Sequence, residues 1–160
     1  MTKDKAIVVL GTFDSKGEEH LFLKERIEAR GFDTLTVNVG THRPPPFTPD
    51  KDFFPELQPS DPKAAPGRDE ALAAVGAMAE AFVRERYERG EICGIISAGG
   101  GTGTYVGTRV MRALPFGVPK VMVSTVASRD MASIVSTKDI TMMHSVADIM
   151  GVNTILGEVL

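Results

Sequence analysis

Two short, unbroken apolar runs, Ala6 to Leu10 and Ile92 to Ile96, constrain this 160-residue chain most. A strand covered on one face alternates apolar with polar residues. A strand that is apolar throughout has both faces buried, as in a parallel sheet under two layers of helix. Thr34 to Val39 and Val118 to Ser124 read as further strands, with Ile140 to Met143 a weaker fifth. Pro119 falls at a strand start, where no ladder donor is needed. Between the strands lie helical patterns. Glu18 to Arg30 carries Leu21, Phe22, Leu23 and Ile27, and Gly31 stops it. Asp69 to Arg89 places Leu72, Val75, Ala79, Phe82 and Val83 at helical spacing. Thr104 to Leu114 ends before Pro115, and Ser145 onward is helical until Gly151 breaks it. Alternating strands and helices predict an α/β fold: a doubly wound, mostly parallel sheet with helices on both faces and a right-handed first crossover.

The middle of the chain departs from this rhythm. Residues 41–68 hold eight of the ten prolines, including Pro44-Pro45-Pro46, and few aliphatic side chains. This is a long irregular excursion whose Phe47, Phe53, Phe54 and Leu57 must pack on something, a missing partner being one option. The chain stops at Leu160 within a helical stretch and without a cap. The expectation is one α/β domain over residues 1–160, cut short at its C-terminus and lacking a partner domain.

Composition narrows the function classes. A formal charge of −3 and no Lys/Arg run leave no footprint for nucleic acid. No apolar stretch approaches the ~18 residues of a membrane span, and the amino terminus lacks a leader's apolar core, so the expected compartment is the cytoplasm. Cys93 is the only cysteine and sits in a strand pattern, where a small core residue is expected. The methionines Met122, Met131, Met142, Met143 and Met150 are expected to fill core or interface space.

In doubly wound sheets ligands gather at the carboxyl ends of the strands. Three loops belong there: Gly11–Gly17, Ser97–Gly103 and Ser124–Asp130. The second, Ser97-Ala98-Gly99-Gly100-Gly101-Thr102-Gly103-Thr104, joins a strand to a helix with four glycines and three hydroxyls. Glycines let backbone N–H groups approach an anion, and a helix N-terminus adds partial positive charge, so phosphate or carboxylate is the expected occupant. A plain tight turn is the competing reading. In the first loop Asp14 could meet a metal or a ribose hydroxyl and Lys16 a phosphate, or Asp14 and Ser15 could simply cap the helix. Ser124, Thr125 and Ser128 either offer hydroxyls to a ligand or cap a turn.

Several stronger motifs are missing. There is no GxxxxGK[ST] loop, and Gly99-x-Gly101-x-x-Thr104 lacks the third glycine of the dinucleotide fingerprint. His20, His42 and His144 share no metal-ligand spacing. Ser97 or Ser124 with His144 and Asp148 could be written as a triad, but no GxSxG elbow accompanies them.

Four ordered motifs resemble a known family. Gly11-Thr12-Phe13-Asp14-Ser15-Lys16-Gly17-Glu18-Glu19 is similar to a GTxDTKGEE opening, and Gly99-Gly100-Gly101-Thr102-Gly103-Thr104 to a GGSGGT loop. Residues 111–125 resemble MRxLPxGxPKxMVST, and 139–153 resemble DIxMMxSVxDxxGxN. These belong to the ATP-binding N-terminal domain family of the plant tobamovirus-resistance inhibitor protein and its bacterial relatives. The resemblance implies a Rossmann-like domain that binds ATP, with Mg²⁺. It also implies a second, C-terminal α/β domain in full-length members. Carried over by position, the nucleotide site is Gly11, Thr12, Asp14 and Lys16, then Gly99, Gly100, Gly101, Thr102, Gly103 and Thr104, then Ser124 and Thr125, with Asp14 as the Mg²⁺ residue. The chain departs at Gly101-Thr102, where the family has Ser-Gly.

The expected function is therefore nucleotide binding, with phosphates on the glycine-rich loop. Two alternatives stand beside it. One is a share in a two-domain phosphotransferase or hydrolase. The other is an oligomerisation or interaction domain, with the proline-rich excursion and Met-rich terminus forming a homo-oligomer face.

Overall fold

The first apolar run forms β1 (Ala6–Gly11), in which Val8, Val9 and Leu10 are all fully buried. That two-sided burial comes from the sheet around it. The computed structural model describes residues 5–61 and 64–160; the leader-free start expected at Met1–Asp4 lies outside them. The strands β1, β2 (Thr34–Asn38), β3 (Lys51–Asp52), β4 (Ile92–Gly99), β5 (Lys120–Ser124) and β6 (Thr141–His144) make one parallel sheet in the order β3-β2-β1-β4-β5-β6. This is an α/β Rossmann-like fold. The short β3 arises inside the proline-rich excursion, where the sequence shows no strand signal.

Helices cover both faces. The helices α2 (Arg68–Glu88) and α3 (Gly101–Arg112) bury Val75, Ala79, Val83, Val106 and Val110 against Val8, Leu10, Val37 and Met122. On the other face, α1 (Phe13–Glu28) and the short α5 (Thr154–Val159) bury Leu23 and Leu156 with Val9, Ala98, Val123 and Ile149. The one-turn α4 (Ala132–Val135) lies between β5 and β6. The stretch from Ser145, expected to be helical, forms turns up to Asn153, whose side chain accepts from the Leu156 N–H at the start of α5.

The excursion packs on its own domain. Phe53 and Leu57 are buried in the main core, Phe53 meeting Phe82 edge-on at 6.0 Å, and Phe47 lies 5.0 Å from Phe13. Cys93 is exposed, contrary to the core position expected of it; its thiol faces the carbonyls of Lys5 and Ala6.

One charge is fully enclosed. The Lys120 ammonium at the foot of β5 donates to Pro115 O (2.7 Å), Val118 O (2.8 Å) and Asp139 Oδ1 (2.8 Å), so all three protons have acceptors. Asp139 also receives the Gly117 N–H, and the Lys120 bond first, then this one, holds its carboxyl below the usual carboxylate range. Lys120→Ala would leave two carbonyls unpaired and a cavity beside them. The expected loss is on the order of 2–4 kcal/mol in urea denaturation.

Candidate functional site

The strand order reverses between β1 and β4. The chain leaves β1 through α1 on one face and β4 through α3 on the other, so their carboxyl ends part and open a crevice, the usual ligand position in such sheets. Gly11 and Thr12 stand at one lip, Gly99 and Gly100 at the other.

The two lips are tied by His20. This fully buried imidazole contacts Lys16 O through Nδ1 (2.6 Å), and its Nε2 receives the Ala98 N–H (3.3 Å). A carbonyl only accepts and an amide N–H only donates, so the ring is neutral with its proton on Nδ1. Burial, the largest influence, lowers its pKa from 6.5. Gly11 lies against this ring, and a Cβ there would overlap it. The glycine at the end of β1 is thus required by a histidine whatever ligand the crevice takes.

The rest of the first lip is committed internally. Thr12 O accepts from Ser15 N (3.1 Å) and Lys16 N (2.8 Å), and Asn38 Oδ1 takes the Phe13 N–H (3.0 Å). Asp14 is buried; its Oδ2 accepts from His42 N (2.9 Å), and its carbonyl from Arg43 Nε (2.7 Å). Lys16 sits at a break in α1 (φ −130°, ψ 32°), and its ammonium donates to Ile149 O. Asp14 and Lys16 line a cleft of about 600 Å³ with Arg43, Pro46 and Met150.

The second and third loops come together. Gly99 O accepts from Thr125 N (3.2 Å), and the buried hydroxyls of Thr104 and Ser124 are 2.6 Å apart. Ser124 Oγ also receives the Val126 N–H (3.1 Å). These two hydroxyls fasten α3 to β5. Gly103 is buried against Gly99: a Cβ on Gly99 would stand 2.9 Å from Gly103 Cα.

What stays open is the start of α3. The helix begins at Gly101, three residues before the expected Thr104, so Gly101, Thr102 and Gly103 form its first turn. Thr104 N bonds to Gly100 O, and no side chain caps the helix, so the N–H groups of that turn have no intrahelical acceptor. A Cβ on Gly101 would meet nothing within 4 Å. Thr102 Oγ1 accepts from Arg68 Nη2 (3.1 Å). Arg68, Leu72, Gly101, Thr102 and Tyr105 line a cleft of about 370 Å³. In the sequence Arg68 only closes the proline-rich excursion, next to the helical pattern that starts at Asp69. Its contact with Thr102 spans 34 positions and has no local signal. Tyr105 was equally unmarked.

The expected triad residues are not joined by hydrogen bonds, and Ser97 Oγ is buried without a partner. Ser124 and His144 are paired across adjacent strands, but Ser124 bonds to Thr104, and His144 Nδ1 accepts from Val146 N (3.1 Å). Among the described residues, no three or more His, Cys, Asp or Glu side chains are grouped to hold a metal, and no helix is long and apolar enough to cross a membrane.

Residues 5–160 match the family described as "Uncharacterised protein family (UPF0261) N-terminal domain". The chain belongs to the UPF0261 family. It is 41% identical over 152 residues to a UPF0261 protein of Rhizobium meliloti, an alignment spanning 94% of this chain and 38% of that protein. A UPF0261 protein of Clostridium tetani is 39% identical over 162 residues, 98% of this chain and 40% of its own length. The "ToMV susceptible protein tm-1(GCR26)" of Solanum lycopersicum is 29% identical over 179 residues, 93% of this chain and 22% of its own. The UPF0261 chain thus spans about two-fifths of the length of these bacterial relatives.

The His20 wedge makes two expectations. Gly11→Ala should lower the urea midpoint sharply, and His20→Ala, by vacating the ring's space, should make the second substitution much cheaper in a double-mutant cycle. Below pH 6.5 the unfolded chain binds a proton at His20 that the native chain refuses. Stability should therefore fall as pH drops from 6.5 towards the depressed native pKa, and His20→Gln should flatten that part of the curve.

Proposed function

We propose that this UPF0261 domain binds a nucleotide, ATP foremost, with its phosphates at the start of α3. The observation carrying this reading is the uncapped first turn Gly101-Thr102-Gly103, beside the strand-order reversal and with open space at Gly101. Three N–H groups and the positive end of a 12-residue helix favour an anion there. Arg68 supplies the nearby cation, a part that sequence reasoning gave to Lys16, whose ammonium is bonded to Ile149 O. The Thr102 hydroxyl is held by Arg68, on the side of α2.

Thr104, Ser124 and Gly99 contribute by fixing the turn. Gly100 and Thr125 edge it, Gly100 with space for a Cβ 3.7 Å from Thr125 Oγ1. Gly11, Thr12 and Asp14 form the opposite lip. A Mg²⁺ ion directed to Asp14 would meet a carboxylate whose Oδ2 already takes the His42 N–H, and among the described residues no three or more His, Cys, Asp or Glu side chains are grouped to hold a metal. The reading therefore has any Mg²⁺ arrive on the nucleotide's phosphates. Turnover, if the longer relatives have it, is a property of the whole protein.

Gly101→Asp tests the site directly. A carboxylate at a helix start stabilises the helix but repels phosphate. The expected result by isothermal titration is ATP affinity weakened at least tenfold, with a thermal midpoint unchanged or raised. AMP, lacking the β- and γ-phosphates, should bind more weakly than ATP to the unsubstituted chain. Unaltered ATP affinity in Gly101→Asp would place the phosphates elsewhere.

A further inference from the structure

A parallel sheet needs cover on both faces, and here one face is short of it. Among the described residues, the helix that reaches β5 on the side of α1 is α5, with six residues, whose Leu156 packs with Val123. Met143 stands beside Val123 in register and shares that face; Val123 is buried while Met143 is 41% exposed, and Val121 is half-covered. The turns that follow put more apolar surface outward: Val146 is 68% exposed, Met150 73% and Ile155 55%. Val146 does so at φ 65°, a conformation a β-branched residue ordinarily avoids. The outer edge of β6 has no strand beside it. Apart from Val121 and the start of β6, all of this comes from residues 143–155, in a domain whose family description places it at the amino end of longer proteins.

We propose that this face, Met143, Val146, Met150 and Ile155 with the free edge of β6, is where the remaining polypeptide of the longer UPF0261 proteins docks. About three-fifths of the bacterial relatives lies outside the matched region, and the last element of that region, α5, leaves Ile155 more than half exposed. A segment joined directly to α5 meets this face at high effective concentration without the entropy loss of a free partner. A sheet edge and an apolar strip together accept an added strand or a covering helix. A second copy of the chain is the competing occupant.

Thiol labelling separates them. In a Cys93→Ser background, Ile155→Cys and the distant control Phe32→Cys are 55% and 54% exposed in this chain and should label at similar rates. At the aligned positions of the full-length Rhizobium meliloti relative, the Ile155 site should label at least tenfold more slowly than the Phe32 site, independent of protein concentration. Equal labelling there overturns the proposal. Protection that vanishes on hundredfold dilution also overturns it, in favour of a second copy. Amide hydrogen exchange needs no substitution: the peptide covering 141–155 should exchange more slowly in the full-length relative than in this chain, and identical exchange counts against docking.

Discussion

Parallel strands cannot be joined by a tight hairpin, so each must be reached by a crossover, which here carries a helix onto one face or the other everywhere except between β2 and β3. That constraint organises the whole molecule. It sends the chain from β1 outward to β3, then back through α2 to pair β4 with the other side of β1. The reversal leaves two adjacent strands whose exits go to opposite faces, and the crevice follows from topology before any side chain is considered. The helix dipole of α3 then points into that opening because α3 is the next crossover.

Within the crevice the polar groups divide into those that hold the protein together and those left for something else. His20, Asn38, Asp14, Thr104 and Ser124 all spend their hydrogen bonds on neighbours. A buried group that is half satisfied costs more than one that is fully paired, so such clusters close upon themselves. Against that background there are two exceptions: the buried Ser97 Oγ, which has no hydrogen-bond partner, and the uncapped glycine turn at the start of α3.

The alternating pattern and all but one of the six strands were legible in the sequence, because burial on two faces writes itself as unbroken apolar runs. The second and third loops were rightly placed at one edge, and the structure joins them through Thr104 and Ser124. What escaped were matters of long-range contact. The strand β3 has two residues and owes its place to pairing with Val37 and Asn38, not to any propensity of Lys51 and Asp52. Glycine-rich residues 101–103 read as loop because glycine is a poor helix former, yet tertiary packing of Gly103 against Gly99 carries the helix through them. Gly11 was legible as a lip residue, but its packing against His20, nine positions on, was not, because the local pattern treats that ring as one more helical residue.

The enclosed ammonium of Lys120 has a geometrical effect at the opposite end of its strand. With the foot of β5 pinned to the 115–118 turn and to Asp139, and with about 3.3 Å of rise per residue, Ser124 is set about 13 Å away by a rigid spacer. A slip of one position would turn Ser124 to the other face and part it from Thr104. The crevice is thus gauged from the far side of the sheet: a lysine that no ligand could touch determines where α3 begins relative to β5.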